Sequence, residues 1–352
     1  MKLYLAALAV LVLGQLADVS DAACSRIAIR REIRSISQQE RNRYFRAIKT
    51  LNSGPRPNGY DYFTRMHLDW ASRSHGDARF LPWHRVFIRE FEKALQRIDP
   101  GVILPYWDWA RDANDPAGSP VLSASLYGSN GGAGGCVNDG AFSGWRVFYP
   151  DARIRCLTRK YDGGNRIQPW WGTGAMNNLK NTSPNYDNFR RRIEGPHGNV
   201  HIGIGGDFSP MWSPNDPLFW LHHAFVDKLW SEWQARSVNN LRSYGGAHSD
   251  GSQSVASEPL GPFGRTVGSS LSTMADDLCY RYDSNSFAEE MGVSEAAVNG
   301  TVVDENIPPP LPEWWILHNK LNVTEIRVFE KQLADGVLTD RIKEAASQSN
   351  PQ

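Results

Sequence analysis

Seven of the nine histidines fall into two groups, His67, His75 and His84, then His197, His201, His222 and His223; His248 and His318 lie apart. This grouping constrains the fold more than any other feature, because several of these histidines share helical faces with apolar residues. His197 and His201 are four apart, about one helical turn, so both side chains reach one point. Phe219, His223, Val226 and Trp230 make one stripe, and His84 shares another with Phe87, Ile88, Phe91 and Leu95. A single imidazole on such a stripe is ordinarily a hydrogen-bonded core residue. Two groups of three are different, because burying six imidazoles without partners is costly. The pattern predicts a mainly α chain in which four helical segments each turn one face inward on metal.

Apolar spacing predicts a first helix over 24–53, with Ile29, Ile33, Ile36, Phe45 and Ile48, broken by Gly54-Pro55-Arg56-Pro57-Asn58-Gly59. A second runs from Asp61 towards Trp70. A third starts beside Pro82 and stops at Asp99-Pro100-Gly101. From about 112 to 185 Gly, Ser, Asn and Pro dominate, which predicts a long irregular connection. Helices are expected again over Asn185–Ile204 and Pro217–Arg236, the latter capped by Asp216 with Pro217 in its first position. A polar stretch, 237–275, follows. One more helix is expected from about Val323 to Ala346, beyond Pro308-Pro309-Pro310.

The N-terminus reads as a secretory signal peptide over 1–23: Lys2, an apolar run from Leu3 to Leu13, then small residues at Ala17 and Ala22-Ala23. That run is too short to span a bilayer, and no later stretch approaches the required length. The mature chain is therefore expected to be secreted, with no membrane span. Its four cysteines lack CxxC spacing and read as two disulfides. The favoured pairing is Cys24–Cys279, tying the start of the domain to its end, with Cys136–Cys156 closing a local loop. Sequons at Asn181, Asn299 and Asn322 fit a secreted glycoprotein. Lys+Arg and Asp+Glu both number 38, so nothing points to a polyanionic partner such as nucleic acid.

All-imidazole ligation suits copper, zinc, iron or nickel rather than calcium or magnesium. A zinc hydrolase needs one triad and usually a carboxylate base, whereas two triads are present here without an evident carboxylate ligand. Two three-coordinate ions facing each other suit the binding and reduction of O2. That redox task is open to copper and closed to zinc.

Three segments resemble the tyrosinase family of type-3 copper proteins. They are Tyr60-Asp61-Tyr62-Phe63 leading to His67; His75-Gly76 followed by Phe80-Leu81-Pro82-Trp83-His84-Arg85; and His197-x-x-x-His201 with Ser213-Pro214-Asn215-Asp216-Pro217-Leu218-Phe219-Trp220-Leu221-His222-His223-Ala224-Phe225-Val226-Asp227. The resemblance covers roughly 24–285 and implies a four-helix bundle around a binuclear copper site, with long irregular loops and few short strands. Residues 286–352 would then form a C-terminal extension. It implies His67, His75 and His84 as ligands of copper A, and His197, His201 and His223 as ligands of copper B. In the family the second residue of the His-His pair binds metal, which makes His222 a packed neighbour. It implies O2 as co-substrate and a small phenol as substrate, with o-diphenols oxidised, and in some members monophenols hydroxylated, to o-quinones.

Other residues acquire expected roles through the same resemblance. Glu194 matches an acidic residue that in some relatives orients water and assists phenol deprotonation; the alternative is a solvated charge beside Arg190–Arg192. Asp227 is expected either to hold the His223 imidazole or to pair with Arg85. Tyr280-Arg281-Tyr282 resembles a motif that closes the core.

Departures from the family pattern set further expectations. Arg73 stands where many relatives carry a cysteine linked by a thioether to the second copper-A histidine, so that crosslink is expected to be absent. Gly198 stands where monophenol-hydroxylating members often have Asn or Asp, which favours diphenol oxidation, although Asn199 offers a similar group. Met211-Trp212 is expected to crowd the substrate entrance. The extension reads either as a shield over the site or as a helix packed outside it. The runner-up function is an O2 carrier like a haemocyanin unit, which uses the same six histidines; a single unit with a short tail favours the enzyme.

Overall fold

The computed structural model describes residues 24–275, 277–283 and 306–348; the expected signal segment and the Asn299 sequon lie outside these. In chain order the elements are β1 (Ala28–Arg30), α1 (Gln38–Leu51), α2 (Gly59–Ser74), α3 (Phe80–Ile98), β2 (Arg146–Val147) and β3 (Arg155–Cys156). They continue with α4 (Thr173–Thr182), α5 (Tyr186–Ile204), α6 (Leu218–Ala235), α7 (Val238–Leu241), β4 (Tyr280–Tyr282), α8 (Glu313–His318) and α9 (Val323–Gln348). The chain is thus mainly helical with a few short strands, and α2, α3, α5 and α6 carry the clustered histidines except His75, which directly follows α2.

The first predicted helix is shorter than its apolar spacing suggested. Ser37 and Glu40 form a reciprocal capping box, so the helix starts only at Gln38. Before it, Ala28–Arg30 pairs in parallel with Tyr280–Tyr282, and Ile33 and Ile36 are buried from irregular backbone. α2 likewise begins at a capping box, Asn58 with Asp61, and runs to Ser74. The 112–185 stretch is largely irregular as expected, except that the short β2–β3 pair and α4 form within it, α4 burying Ala175, Met176 and Leu179. Its polar Asn-rich face hid that three-residue apolar stripe.

Both expected disulfides are present. Cys24–Cys279 lies beside the β1–β4 pair and Cys136–Cys156 staples the long connection. Beneath the histidines runs a buried ionic network. Asp227 on α6 accepts from Arg85 Nε on α3 at 2.6 Å and from the hydroxyls of Tyr280 and Tyr282 at 2.5 and 2.7 Å. Arg30 pairs with Glu92 at 2.6 Å and lies 3.5 Å from the Tyr280 ring. Of the two roles expected for Asp227, the pairing with Arg85 is the one observed. The tyrosine motif closes the core through the same carboxylate.

The C-terminal segment packs back on the bundle. α8 was not anticipated from sequence; with α9 it buries Leu311, Trp315, Ile316 and Ile326 against Ile202 of α5. Leu333 and Val337 of α9 join the main core, and Arg191 bonds Glu325 at 2.6 Å. Among the described residues no helix is long and apolar enough to cross a membrane.

Candidate metal centre

Helices α2 and α3 supply His67 and His84, and His75 is the residue that terminates α2. All three are buried, and each Nδ1 faces a backbone carbonyl: Met211 for His67 at 2.6 Å, Ala71 for His75 at 3.1 Å, Phe80 for His84 at 2.8 Å. A carbonyl only accepts, so the proton sits on Nδ1 and the Nε2 lone pair is left for metal. The Nε2 atoms of His67 and His84 lie 3.4 Å apart.

The second group comes from α5 and α6. His201 Nδ1 donates to the carbonyl of Phe208 at 2.5 Å, while His197 Nδ1 is 3.4 Å from the Glu194 carbonyl. His222 and His223 follow on α6. In each group the candidate ligand atoms lie within 4.8 Å of one another. The two groups meet where the rings of His84 and His223 stack, with centroids 4.3 Å apart and planes 9° apart. His222 stacks instead on His197, at 5.0 Å. All seven histidines singled out from sequence therefore converge, and His222 lies within the second group rather than outside it.

Electrostatics favour neutral rings. Burial lowers the pKa of every one of the seven, His75 to about 4 and His201 to about 3. Neutral imidazole is the ligating form. Nε2 of His197 and both nitrogens of His222 and His223 are buried without a hydrogen-bond partner. Each unpaired polar atom of this kind costs about 1–3 kcal/mol, and a bound ion would offset that cost at one nitrogen of each ring that ligates it. Phe80, Phe208 and Phe219 close the surroundings, the last with its ring 4.1 Å from His223. Two facing sets of neutral imidazoles in an aromatic shell fit a pair of copper ions.

The common central domain of tyrosinase matches residues 57–236. The chain belongs to the tyrosinase family. It is 32% identical over 250 residues to a tyrosinase of Streptomyces antibioticus, covering 62% of this chain and 88% of the relative. It is 34% identical over 289 residues to the tyrosinase ustQ of Aspergillus flavus, covering 74% and 80%. Among solved structures, a polyphenol oxidase variant from Thermothelomyces thermophila superposes with a TM-score of 0.60 at 26% identity, covering 73% of this chain and 88% of that one. A functional unit of octopus hemocyanin has the same fold, with a TM-score of 0.53 at 22% identity over 73% and 68%. A binuclear copper centre that works with O2 is the cofactor of this tyrosinase-family chain.

Glu194 is buried, not solvated: burial raises its pKa to about 7 against the opposing pull of Arg190, whose Nη1 is 3.6 Å away. The nearby Gly76 backbone N–H also opposes that rise, and Glu194 Oε1 has no hydrogen-bond partner. All four cysteines are in disulfides, and Arg73 lies over the Trp70 ring, so no thioether reaches His75. Asp216 accepts the Leu218 N–H at 3.0 Å at the start of α6 and also pairs with Arg159 at 2.7 Å. Met211 is half-buried and contributes its carbonyl to His67.

Two features escaped sequence reasoning. The carbonyls that orient the imidazoles carry no residue signature, because every residue supplies one. Trp315 was also missed: its ring centroid is 6.4 Å from that of His197. The only hint was an aromatic pair, Trp314-Trp315, shortly after the prolines.

Proposed function

We propose that this chain is a secreted phenol oxidase that uses O2 to convert o-diphenols to o-quinones, with the extension after about residue 285 acting as a cover. The observation that carries the reading is the pair of facing imidazole sets joined at the His84–His223 stack. His67, His75 and His84 would hold one copper, and His197, His201 and His223 the other. The copper pair, when bound, supplies the redox chemistry that passes electrons from the phenol to O2. The overall balance is two diphenols and one O2 giving two quinones and two waters. The hydroxylating reaction would take one monophenol and one O2 to one quinone and one water.

The chain's own residues do the rest. Backbone carbonyls hold Nδ1 of His67, His75, His84 and His201, which leaves Nε2 of those rings free for metal. The aromatic shell excludes bulk water. Glu194, with a pKa near neutrality and an Oε1 that makes no hydrogen bond beyond its 3.6 Å ion pair with Arg190, is the group suited to accept a phenol's proton. Gly198 leaves the neighbourhood of His197 without the Asn or Asp side chain of hydroxylating relatives, which favours diphenols. The reading is tested by reconstituting the protein with copper and following O2 uptake with L-DOPA and L-tyrosine, with and without residues 306–352. Turnover of L-DOPA supports it. Reversible O2 binding without turnover in either form would instead favour a carrier.

A further inference from the structure

Among the six proposed ligands, His75 alone is outside the body of a helix. It ends α2, and the next four residues, Gly76 to Arg79, form the link to α3. A metal site needs its ligands fixed to within fractions of an ångström. What holds this link is unusual. Asp77 is fully buried, and its Oδ1 accepts the Arg79 backbone N–H at 2.9 Å and Arg79 Nε at 2.8 Å. Its Oδ2 accepts Arg79 Nη2 at 2.9 Å and the Ser249 backbone N–H at 3.0 Å. The remaining contact is His248, whose Nδ1 lies 3.0 Å from Asp77 Oδ1 and whose Nε2 lies 2.7 Å from Glu258 Oε2.

His248 is one of the two histidines outside the copper groups, and it sits in the polar stretch for which the sequence offered no role. With a carboxylate on each ring nitrogen, it ties the 246–258 segment to the ligand-bearing link. The circuit closes through aromatic residues. Glu258 accepts from the Tyr244 hydroxyl, the Tyr244 ring meets that of Tyr186 at 5.1 Å, and the Tyr186 hydroxyl donates to the Ala78 carbonyl at 2.5 Å. Asp77 and Ala78 are thus gripped from opposite ends of one chain of contacts.

We propose that His248, backed by Glu258, is a positioning residue for copper A: by clamping Asp77 it holds His75 where its Nε2 can bind. This rests on the ligand assignment proposed above. The clamp replaces with hydrogen bonds what a covalent link to His75 would otherwise provide. Removing it loosens the link between the two helices, which Arg79, Ser249 and Tyr186 still hold, while leaving the helix-borne His67 and His84, and the whole second group, in place. The loss should therefore be selective for one metal position.

The test is the full-length protein reconstituted with copper as wild type, His248→Ala, His248→Gln and Glu258→Gln. Bound copper is measured after dialysis against graded chelator, together with the electron paramagnetic resonance of the oxidised form and the melting of the copper-free form. Wild type should retain two coppers whose spins cancel. His248→Ala should release one of them at about 10–100-fold lower chelator strength, the range seen when groups supporting a ligand are removed. An isolated cupric signal should appear while copper-free melting stays close to wild type. Glu258→Gln and His248→Gln should give smaller shifts in the same direction, and they keep the test available if the alanine variant does not fold. Variants that hold both coppers as wild type does, or that lose both in step, would overturn the clamp. A wild type that binds fewer than two coppers would overturn the ligand assignment, and the clamp with it.

Discussion

The indole of Trp315 occupies the space that a side chain on Gly198 would need: a Cβ there would lie 2.4 Å from Trp315 Cη2. Trp315 is buried, and Gly198 directly follows His197. The glycine thus has a structural reason to be there besides any influence on substrate choice. The same C-terminal segment also approaches the loop after His75, since a Cβ on Gly76 would meet the carbonyls of Asn319 and Lys320 at 2.8 Å. Trp315→Ala should raise kcat/KM for L-DOPA by about tenfold or more, as expected if the uncovered form is about a tenth or less of the population. Gly198→Ala should act in the same direction by displacing the indole, and should make the tail more sensitive to limited proteolysis. Unchanged kinetics in both variants would mean that substrate enters by another route.

Acid should destabilise the copper-free protein steeply. All seven clustered imidazoles have folded pKa values below the ordinary 6.5, so folding favours their neutral forms. Their contribution is complete above about pH 6.5 and is lost as pH falls towards the folded values, about 4 for His75 and about 3 for His201. Each imidazole adds up to about 1.4 kcal/mol per pH unit to the slope in that window. Glu194, raised to about 7, runs the other way: its contribution is present below about 4.5 and lost as pH rises through 7. One carboxyl does not reverse seven imidazoles. Urea unfolding between pH 7.5 and 4 should show the loss, and copper should move its onset to lower pH, because metal and protons compete for the same nitrogens. A flat profile would mean that the rings are not held neutral.

The Asp227 network should matter for stability. The carboxylate has Arg85 on one oxygen and two tyrosine hydroxyls on the other, all buried. Asp227→Ala leaves the Arg85 guanidinium without its anion, a change that typically costs about 3–5 kcal/mol. Denaturant midpoints of the disulfide-intact protein measure it. A shift worth less than about 1 kcal/mol would show that Gln234 and the Ser270 and Leu271 carbonyls, which Arg85 also reaches, are sufficient.

Much of the centre was legible in the sequence because its signals are local. His197 and His201 share a helical turn, α6 starts at Leu218 one residue later than expected from Asp216-Pro217, and the cysteines pair as the ends of a domain and the ends of a loop. Errors came where one residue pattern serves two structures. Ile29, Ile33 and Ile36 have near-helical spacing, yet Ile29 sits in a strand whose partner, Arg281, is more than 250 residues away. The roles of Trp315 and His248 depend on contacts between distant segments, Trp315 with Gly198 and His248 with Asp77, and no spacing rule reaches that far.

The adjacent pair on α6 gives the sharpest test of the ligand set. His223 stacks on His84 of the opposite group at 4.3 Å, whereas His222 stacks on His197 of its own group and faces Trp109 at 6.0 Å. The nitrogens of both rings lack partners. If His223 binds copper B, His223→Phe should leave about one copper per chain and abolish L-DOPA turnover. His222→Phe should keep both coppers, because the ring it replaces makes no hydrogen bond that folding would lose. The larger ring in this fully buried site should lower the melting temperature through overpacking, at a cost of about 1–3 kcal/mol, without loss of copper. The reverse pattern, copper lost in His222→Phe and kept in His223→Phe, would move the ligand one residue back along the helix.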